Sequence, residues 1–124
     1  MIQVGVNGYG TIGKRVADAV AEMPDMALVG ISKASANHTA DAALKRGYDI
    51  YAPDGRAEQF EAKDMAVAGS VEDLVVNSDV FVDTLPEGMG IEHRPLYERH
   101  DTPAIFQGGE PAEVASESFT ARAN

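Results

Sequence analysis

The sequence contains no cysteine and no tryptophan. Without cysteine, these residues supply no disulfide, no thiolate metal site and no thiol nucleophile. No uninterrupted apolar run approaches the ~18 residues of a membrane span, and the N-terminus lacks the basic and apolar regions of a secretion signal. We therefore expect a cytoplasmic protein that has no membrane partner.

Basic residues are also scarce. The 124 residues include 20 Asp and Glu against 10 Lys and Arg, which gives a formal charge of −10, and only four of the cations are lysine. Such a surface repels the phosphates of nucleic acids and anionic lipids, so no nucleic-acid partner is expected. The charge fits an ordinary acidic cytosolic protein and equally a protein adapted to concentrated salt. With 44% hydrophobic residues, the chain has the composition and size of one globular domain.

The most informative pattern lies at the N-terminus, where a short apolar strand at residues 2–6 leads into Gly8-Tyr-Gly-Thr-Ile-Gly13 and then an amphipathic segment. This is the G-x-G-x-x-G spacing in the strand, turn and helix context that it requires. The first glycine permits the tight turn, the second lets backbone approach a pyrophosphate, and the third lets the helix press against the sheet. The alternative is that the glycines are plain turn residues. The candidate cofactor-binding residues here are Gly8, Gly10, Thr11, Ile12 and Gly13, since the N–H groups that begin a helix attract anions.

Alternating strands and helices follow this turn. A second strand at Met26–Ser32 completes a strand, helix, strand unit, which requires a parallel, right-handed crossover. Further strands are predicted near residues 48–51, 65–68, 79–84 and 104–107, and further helices near residues 37–46, 57–63, 70–77 and 91–99. The first helix is expected to bury Ile12, Val16, Ala19, Val20 and Met23. The expected fold is an α/β, Rossmann-like, doubly wound and mainly parallel sheet with helices on both faces, forming one NAD(P)-binding domain over residues 1–124.

The end of the second strand bears on the choice of cofactor. An acidic residue usually binds the ribose hydroxyls there, about twenty residues beyond the glycines, but this chain has Ser32-Lys-Ala-Ser35 and no carboxylate until Asp41. A cation and hydroxyls suit a 2′-phosphate, which makes Lys33 and Ser35 candidate NADP-binding residues. The alternative is a solvated loop lysine. The expected cofactor is NADP or NAD.

Two later loops also follow strands at their carboxyl ends, where ligands bind in open α/β sheets. Thr84, Pro86 and Gly88 follow one strand, and Gly108 and Gly109 follow the next. Adjacent glycines would let backbone approach a nicotinamide ribose closely, although both loops have the alternative of ordinary connections. The three histidines stand apart beside polar residues, and no acids have catalytic or metal-binding spacing, so neither a catalytic residue nor a metal site is predicted.

Several separate motifs, taken in order, resemble those of archaeal-type (type II) glyceraldehyde-3-phosphate dehydrogenases. The acidic, lysine-poor composition makes the haloarchaeal branch the nearest likeness. The resemblance runs through the glycine turn, Arg46-Gly-Tyr-Asp-Ile-Tyr51, Val82-Asp-Thr-Leu-Pro-Glu-Gly88, Pro95-Leu-Tyr97, Ala104-Ile-Phe-Gln-Gly-Gly-Glu110 and Ser118-Phe-Thr-Ala-Arg-Ala-Asn124.

The resemblance implies a glycolytic oxidoreductase, a homotetramer that converts glyceraldehyde 3-phosphate, inorganic phosphate and NAD(P) to 1,3-bisphosphoglycerate and NAD(P)H. It places the nucleophilic cysteine in a Ser-Cys-Asn-Thr-Thr segment beyond Asn124, so this chain is expected to be the cofactor-binding portion, inactive alone. Thr11 and Ile12 match the pyrophosphate positions, Lys33 the 2′-phosphate position, and Gly108-Gly109 the cofactor-contacting glycines. Ala34 departs from the threonine that relatives often carry, which weakens the expectation of NADP selectivity.

Two other classes of function remain open at this point. One is a stand-alone NAD(P)-binding or redox-sensing module, which a dimerisation helix or a further domain would favour. The other is the N-terminal half of a different Rossmann reductase, such as an aspartate-semialdehyde or dihydrodipicolinate enzyme. The motifs at 46–51 and 106–110 argue against this last possibility.

The salt dependence of stability tests the origin of the acidic surface. If the chain is adapted to concentrated salt, its melting temperature rises between low-salt buffer and molar KCl, because cations screen the repulsion among carboxylates. Circular dichroism measures this directly. A melting temperature that does not rise identifies an ordinary acidic protein instead.

Overall fold

A computed structural model describes residues 1–86 and 89–107 of the chain. The strands in this part are β1 (Ile2–Asn7), β2 (Met26–Ser32), β3 (Ile50–Ala52), β4 (Gly69–Ser70), β5 (Val80–Asp83) and β6 (Ala104–Phe106). The helices are α1 (Thr11–Glu22), α2 (His38–Lys45), α3 (Ala57–Glu61), α4 (Val71–Val76) and α5 (Met89–Arg99). Strands and helices therefore alternate along the described chain, as the sequence predicts.

The six strands form one sheet whose order is β4-β3-β2-β1-β5-β6. Every neighbouring pair runs parallel. From β1 the chain builds outward through β2, β3 and β4, and it then returns to place β5 and β6 on the other side of β1. The prediction of a doubly wound parallel sheet is confirmed. Such a reversal of strand order leaves a crevice at the carboxyl ends of the two neighbouring strands β1 and β5.

Side-chain alternation along the strands divides the core between the two faces of the sheet. Ile50 of β3 packs in one cluster with buried residues of α1, α2 and α3. The next residue, Tyr51, packs in another cluster with Leu74 of α4 and Tyr97 of α5. Helices therefore cover both faces, as predicted.

The buried face of α1 differs from the predicted one. The buried residues are Gly13, Ala17 and Val20. Ile12, Ala19 and Met23, which were expected in the core, are exposed. The reason is steric, since a helix that presents glycine and alanine to the sheet approaches it more closely than one that presents isoleucine and methionine. The prediction is right for Val20, which is buried, and for Val16, which packs against the core. Hydrophobicity misses Gly13 and Ala17 because it ranks larger residues first.

The predicted strand at residues 65–68 is also wrong. The structure places β4 at Gly69–Ser70, where it pairs with Tyr51 and Ala52 of β3. Met65 and Val67 are instead partly buried against the core. Since β3 has only three residues, it offers an edge partner few positions for pairing, and the strand begins later than its apolar pattern indicates.

Two residues of the segment Arg46-Gly-Tyr-Asp-Ile-Tyr51, which follows α2, form hydrogen bonds to α1. Gly47 has φ +84°, which suits the residue that follows a helix C-terminus. The Arg46 guanidinium and the Tyr48 hydroxyl both donate to Asp18 of α1, at 3.2 and 2.6 Å. Burial, followed by the hydrogen bond to Asp18, raises the pKa of Tyr48 to about 12. In the described structure, this motif thus has a structural role, because its contacts hold the end of α2 against α1.

The helices α2 and α4 begin at side-chain caps, whereas α1 and α3 do not. Asn37 accepts hydrogen bonds from the first turn of α2. At α4, the Ser70 hydroxyl accepts from the Asp73 N–H at 3.1 Å while the Asp73 carboxylate accepts from the Ser70 N–H at 2.9 Å, which is a capping box. The residue before α1, Gly10, provides no side-chain cap. The N–H groups that begin α1 therefore differ in kind from those of α2 and α4.

Removing the α4 cap should destabilise the domain measurably. Ser70→Ala leaves the Asp73 N–H without its acceptor, which costs about 1 kcal/mol and lowers the melting temperature by about 3–5 °C in a domain of this size. Ser35→Ala is the matched control, because Ser35 is exposed and caps no helix. Equal melting temperatures for the two variants in calorimetry would contradict the role of the capping box.

Candidate functional site

A cavity of about 500 Å³ opens at the carboxyl edge of the sheet, beside the reversal of strand order. This volume lies within the range of small-molecule and cofactor sites. The glycine turn forms its floor. The ends of β2 and β3 and the start of α4 form one side, and the loop after β5 with the first turns of α5 forms the other. The site thus lies where the fold predicts it.

The three glycines of the turn meet different constraints. Gly8 has φ +102°, and a Cβ added to it would lie 2.9 Å from the Thr84 hydroxyl. A Cβ on Gly13 would lie 2.7 Å from the Gly8 carbonyl oxygen, so the third glycine is required for α1 to approach the strand end. At Gly10 a Cβ would meet nothing within 4 Å. The second glycine lines the cavity, and a side chain there would meet no protein atom.

The N-terminus of α1 is open to an anion. Thr11 and Ile12 both line the cavity and are exposed. The helix has neither a capping side chain nor an acidic residue in its first turn. Its unpaired N–H groups and the positive end of its dipole therefore attract negative charge from the cavity. Gly13, by contrast, lies on the buried face of α1 and does not line the cavity.

Lys33 supplies the cationic side chain of the cavity wall. No aspartate or glutamate is among the described residues that line the cavity, and none of the ion pairs within residues 1–86 and 89–107 involves Lys33. Burial lowers the pKa of Lys33 below its usual value, and a bound anion would counter that effect. In a chain of net charge −10, this is a local environment that favours an anion.

The two serines near Lys33 lie in different environments, and neither environment is the one that the sequence predicts. Ser32 is 4% exposed, and its hydroxyl is already engaged with Gly8 and Asn7 inside the fold. Ser35 is exposed and does not line the cavity, where Ala34 is found instead. Of the two hydroxyls considered for a phosphate, neither is directed into the cavity by a described contact.

The loop after β5 lies on the other side of the turn. Thr84 and Pro86 both line the cavity. The Thr84 hydroxyl donates to the Asn7 carbonyl oxygen at 2.9 Å, and the Thr84 N–H donates to the same oxygen at the same distance. Thr84 therefore fixes this loop to the end of β1. The predicted positions Gly88, Gly108 and Gly109 lie outside the described residues.

Several lining residues were not among the predicted site residues, including four on the two sides of the cavity. Pro53 and Val71 give apolar surface on the β3 and β4 side, and Met89 and His93 of α5 face them from the β5 side. The sequence interpretation treated His93 as solvated, but it is half-buried, with Nδ1 3.0 Å from the Met89 carbonyl oxygen. The carboxyl-end rule applied to every strand, not only to the first, second, fifth and sixth, would have selected Pro53 and Val71.

Two other kinds of site are absent from the part of the chain that the structure describes. There, no three His, Asp or Glu side chains come together as a group that could hold a metal ion. Likewise, none of the described helices has the length and apolar character needed to cross a membrane. The groups that meet in the cavity are instead backbone N–H donors, a lysine, a histidine, several hydroxyl and amide side chains, and apolar side chains.

Solved structures share this fold at low sequence identity. A scyllo-inositol dehydrogenase from Lactobacillus casei superposes with a TM-score of 0.64 at 17% identity, over 86% of this chain and 28% of that one. A UDP-N-acetylglucosamine 3-dehydrogenase from Acidithiobacillus ferrooxidans gives 0.62 at 17%, over 85% and 28%. An NAD-binding protein from Listeria innocua gives 0.61 at 15%, over 85% and 26%. These similarities establish the fold.

Sequence relatives are much closer, although no protein-family model matches the chain. Glyceraldehyde-3-phosphate dehydrogenases of Halobacterium salinarum and Haloarcula marismortui are each 59% identical over 100% of this chain, which corresponds to 37% and 35% of their own lengths. That of Saccharolobus islandicus is 53% identical over 100% of the chain and 36% of its own length. The chain thus spans little more than a third of these relatives, and the resemblance drawn from the motifs is confirmed. Over all its residues, the chain is thus similar to the N-terminal part of archaeal glyceraldehyde-3-phosphate dehydrogenases.

Proposed function

We propose that the chain binds NAD or NADP in the cavity and forms the cofactor-binding portion of a glyceraldehyde-3-phosphate dehydrogenase. The observation that carries this proposal is the uncapped N-terminus of α1, which opens onto the cavity beside Gly10 at the reversal of strand order. The reaction proposed for the whole enzyme converts glyceraldehyde 3-phosphate and inorganic phosphate to 1,3-bisphosphoglycerate. When bound, the nicotinamide supplies the hydride acceptor.

The part of that reaction proposed for these 124 residues is binding and orientation. The sequence has no cysteine, so the thiol nucleophile that the family resemblance implies is not among them. We infer that the chain alone does not oxidise the aldehyde, and that the longer enzyme acts as a homotetramer with glyceraldehyde 3-phosphate and phosphate as its substrates. The 53–59% identity to enzymes of that name supports this assignment.

The diphosphate is proposed to lie over the first turn of α1. The N–H groups of Thr11 and Ile12 would donate to its oxygens, and Gly10 leaves room for the close approach. Gly8 and Gly13 would contribute through the shape of the turn, since their missing Cβ atoms allow the helix to begin directly after the strand. Backbone donors suit a diphosphate because they are fixed in direction and are already ordered before binding.

The orientation of the cofactor follows from Lys33. This lysine follows β2, so a 2′-phosphate held there places the adenosine half on the side of Pro53 and Val71. The nicotinamide half then extends toward the β5 side, where Thr84 and Pro86 would contact it. Gly108 and Gly109 near the nicotinamide complete the proposed set and rest on the sequence alone. The same holds for Ser35, which follows Lys33 by two residues but does not line the cavity.

Titration with NADPH tests the proposal. Saturable enhancement of nicotinamide fluorescence is expected from the wild-type chain at micromolar to millimolar cofactor. Gly10→Ala should raise the dissociation constant about ten-fold with little change in melting temperature, because the added methyl group meets no protein atom but occupies space beside the diphosphate. Gly13→Ala should instead lower the melting temperature, at a cost of about 1–3 kcal/mol for overpacking. A wild-type chain without any saturable response at millimolar NADPH contradicts the proposal.

The role of Lys33 is tested by comparing two cofactors. Lys33→Ala should weaken NADPH binding about ten-fold, as expected for the loss of one charge-assisted hydrogen bond, and should leave NADH binding unchanged. Lys45→Ala is the matched control, since it removes the same charge from an exposed position on α2 that pairs with Asp41. Equal losses for both cofactors, or no loss for either, would refute a 2′-phosphate site at Lys33.

A further inference from the structure

A row of buried polar side chains connects the glycine turn to α5. The Gly8 N–H donates to the Ser32 hydroxyl oxygen at 2.8 Å, and the Ser32 hydroxyl donates to Asn7 Oδ1 at 2.6 Å. On the other side of the same amide, Asn7 Nδ2 donates to the Tyr97 hydroxyl oxygen at 2.8 Å. The Tyr97 hydroxyl then donates to Asp83 Oδ2 at 2.6 Å. The row therefore crosses from β2 through β1 to α5 and β5.

The direction of every donor in this row is determined from one end. The Tyr97 hydroxyl donates its hydrogen to Asp83 Oδ2, while Asp83 Oδ1 accepts from the Leu85 N–H at 3.1 Å. The Tyr97 oxygen is therefore left to accept from Asn7. The NH₂ group of Asn7 then faces Tyr97, and its carbonyl oxygen faces Ser32. Because the Ser32 hydrogen is used on that oxygen, a lone pair of Ser32 faces the Gly8 N–H. The hydrogen-bond direction that begins at Asp83 is thus passed along the row as far as Gly8 in the glycine turn.

The row is also shielded from water. Asn7 and Tyr97 are each 2% exposed, Ser32 is 4% exposed, and Asp83 is fully buried. Burial, followed by the charge of Asp83, raises the pKa of Tyr97 well above its usual value, which keeps its hydroxyl protonated. Buried groups of this kind strongly resist losing a partner, so the row has one favourable arrangement and little freedom to change it.

Tyr97 itself does not line the cavity. Its ring packs against Phe81 and Phe106, with centroids 5.1 and 6.0 Å away. Its influence on a ligand in the cavity must therefore pass through other residues. Asn7 and Ser32 provide that connection, because both line the cavity and both belong to the row.

We propose that Tyr97 is a positioning residue for the cofactor: through Asn7 and Ser32, its hydroxyl holds the Gly8 peptide in the orientation that directs the N-terminus of α1 at the diphosphate. This inference rests on the proposed cofactor-binding function and adds a residue to it. It also gives the segment Pro95-Leu-Tyr97 a role in the glycine turn, 90 positions away from Asn7 in the sequence.

The test is Tyr97→Phe, which keeps the ring and removes the hydroxyl. Two measurements are made at a temperature at which circular dichroism shows the variant folded. The dissociation constant for NADPH should rise about five- to twenty-fold, and amide hydrogen exchange at Gly8 in the cofactor-free chain should become at least about ten-fold faster. Exchange at Ile31, whose N–H donates to the Asp49 carbonyl, should change much less.

Tyr48→Phe is the matched control. It also removes a tyrosine hydroxyl that donates to an aspartate at 2.6 Å, but that aspartate is Asp18 on α1, outside the row. Its NADPH dissociation constant should equal that of the wild type. A purely structural role of Tyr97 predicts lower melting temperatures for both variants and no change in affinity for either.

A double-mutant cycle with Ser32→Ala tests the path. Ser32 and Tyr97 are linked through Asn7, so the double variant should bind NADPH no more weakly than the weaker single variant. Additive losses, meaning that the two fold-changes multiply, would overturn a shared path. Should Tyr97→Phe fail to fold, Asp83→Asn replaces it, because a neutral amide no longer dictates the polarity of the row. Unchanged affinity and unchanged Gly8 exchange in that variant would overturn the proposal.

The outcomes separate this inference from the proposed function. A wild-type chain that does not bind NADPH contradicts the proposed function, and slow Gly8 exchange that Tyr97→Phe does not accelerate contradicts the inference independently. If the wild type binds and Tyr97→Phe binds equally well, the function stands and the inference is wrong.

Discussion

The close approach of α1 to the end of β1 is the constraint on which the site depends. A Cβ on Gly13 would lie 2.7 Å from the Gly8 carbonyl oxygen, so only glycine lets the helix begin at this distance from the strand. The helix then directs its uncapped N-terminus into the cavity. The order of the strands provides the opening beside it, because β5 lies next to β1 while β2, β3 and β4 lie on the other side of β1.

Electrostatics in this chain operate on two length scales. The net charge of −10 repels an anionic cofactor at long range, whereas the α1 N-terminus and Lys33 attract it at short range. Salt screens the two unequally, since the Debye length falls to about 3 Å at 1 M while contact hydrogen bonds persist. Haloarchaeal relatives at 59% identity are consistent with a protein that meets such conditions. Concentrated salt should therefore relieve the repulsion more than it weakens the attraction.

Local patterns predicted the first third of the chain well, because strand, turn and helix there each follow from neighbouring residues. They failed where packing decides the outcome. The buried face of α1 uses Gly13 and Ala17, which no hydrophobicity scale ranks above Ile12. The row from Gly8 to Asp83 was not predicted, since contact between Asn7 and Tyr97 requires knowing that β1 and β5 are neighbours and that α5 packs beneath them. Site residues at strand ends were accessible to sequence reasoning, and those that act through other residues were not.

The helix N-termini of this domain permit a direct internal comparison. Inorganic pyrophosphate titrated into ¹⁵N-labelled chain, with amide chemical shifts as the readout, reports which N–H groups meet the anion. The account predicts saturable shifts at Gly10, Thr11 and Ile12 and none of comparable size at the starts of α2 and α4, whose N–H groups Asn37 and Ser70 already cap. Shifts of similar size at all three helices, or none at α1, would contradict it.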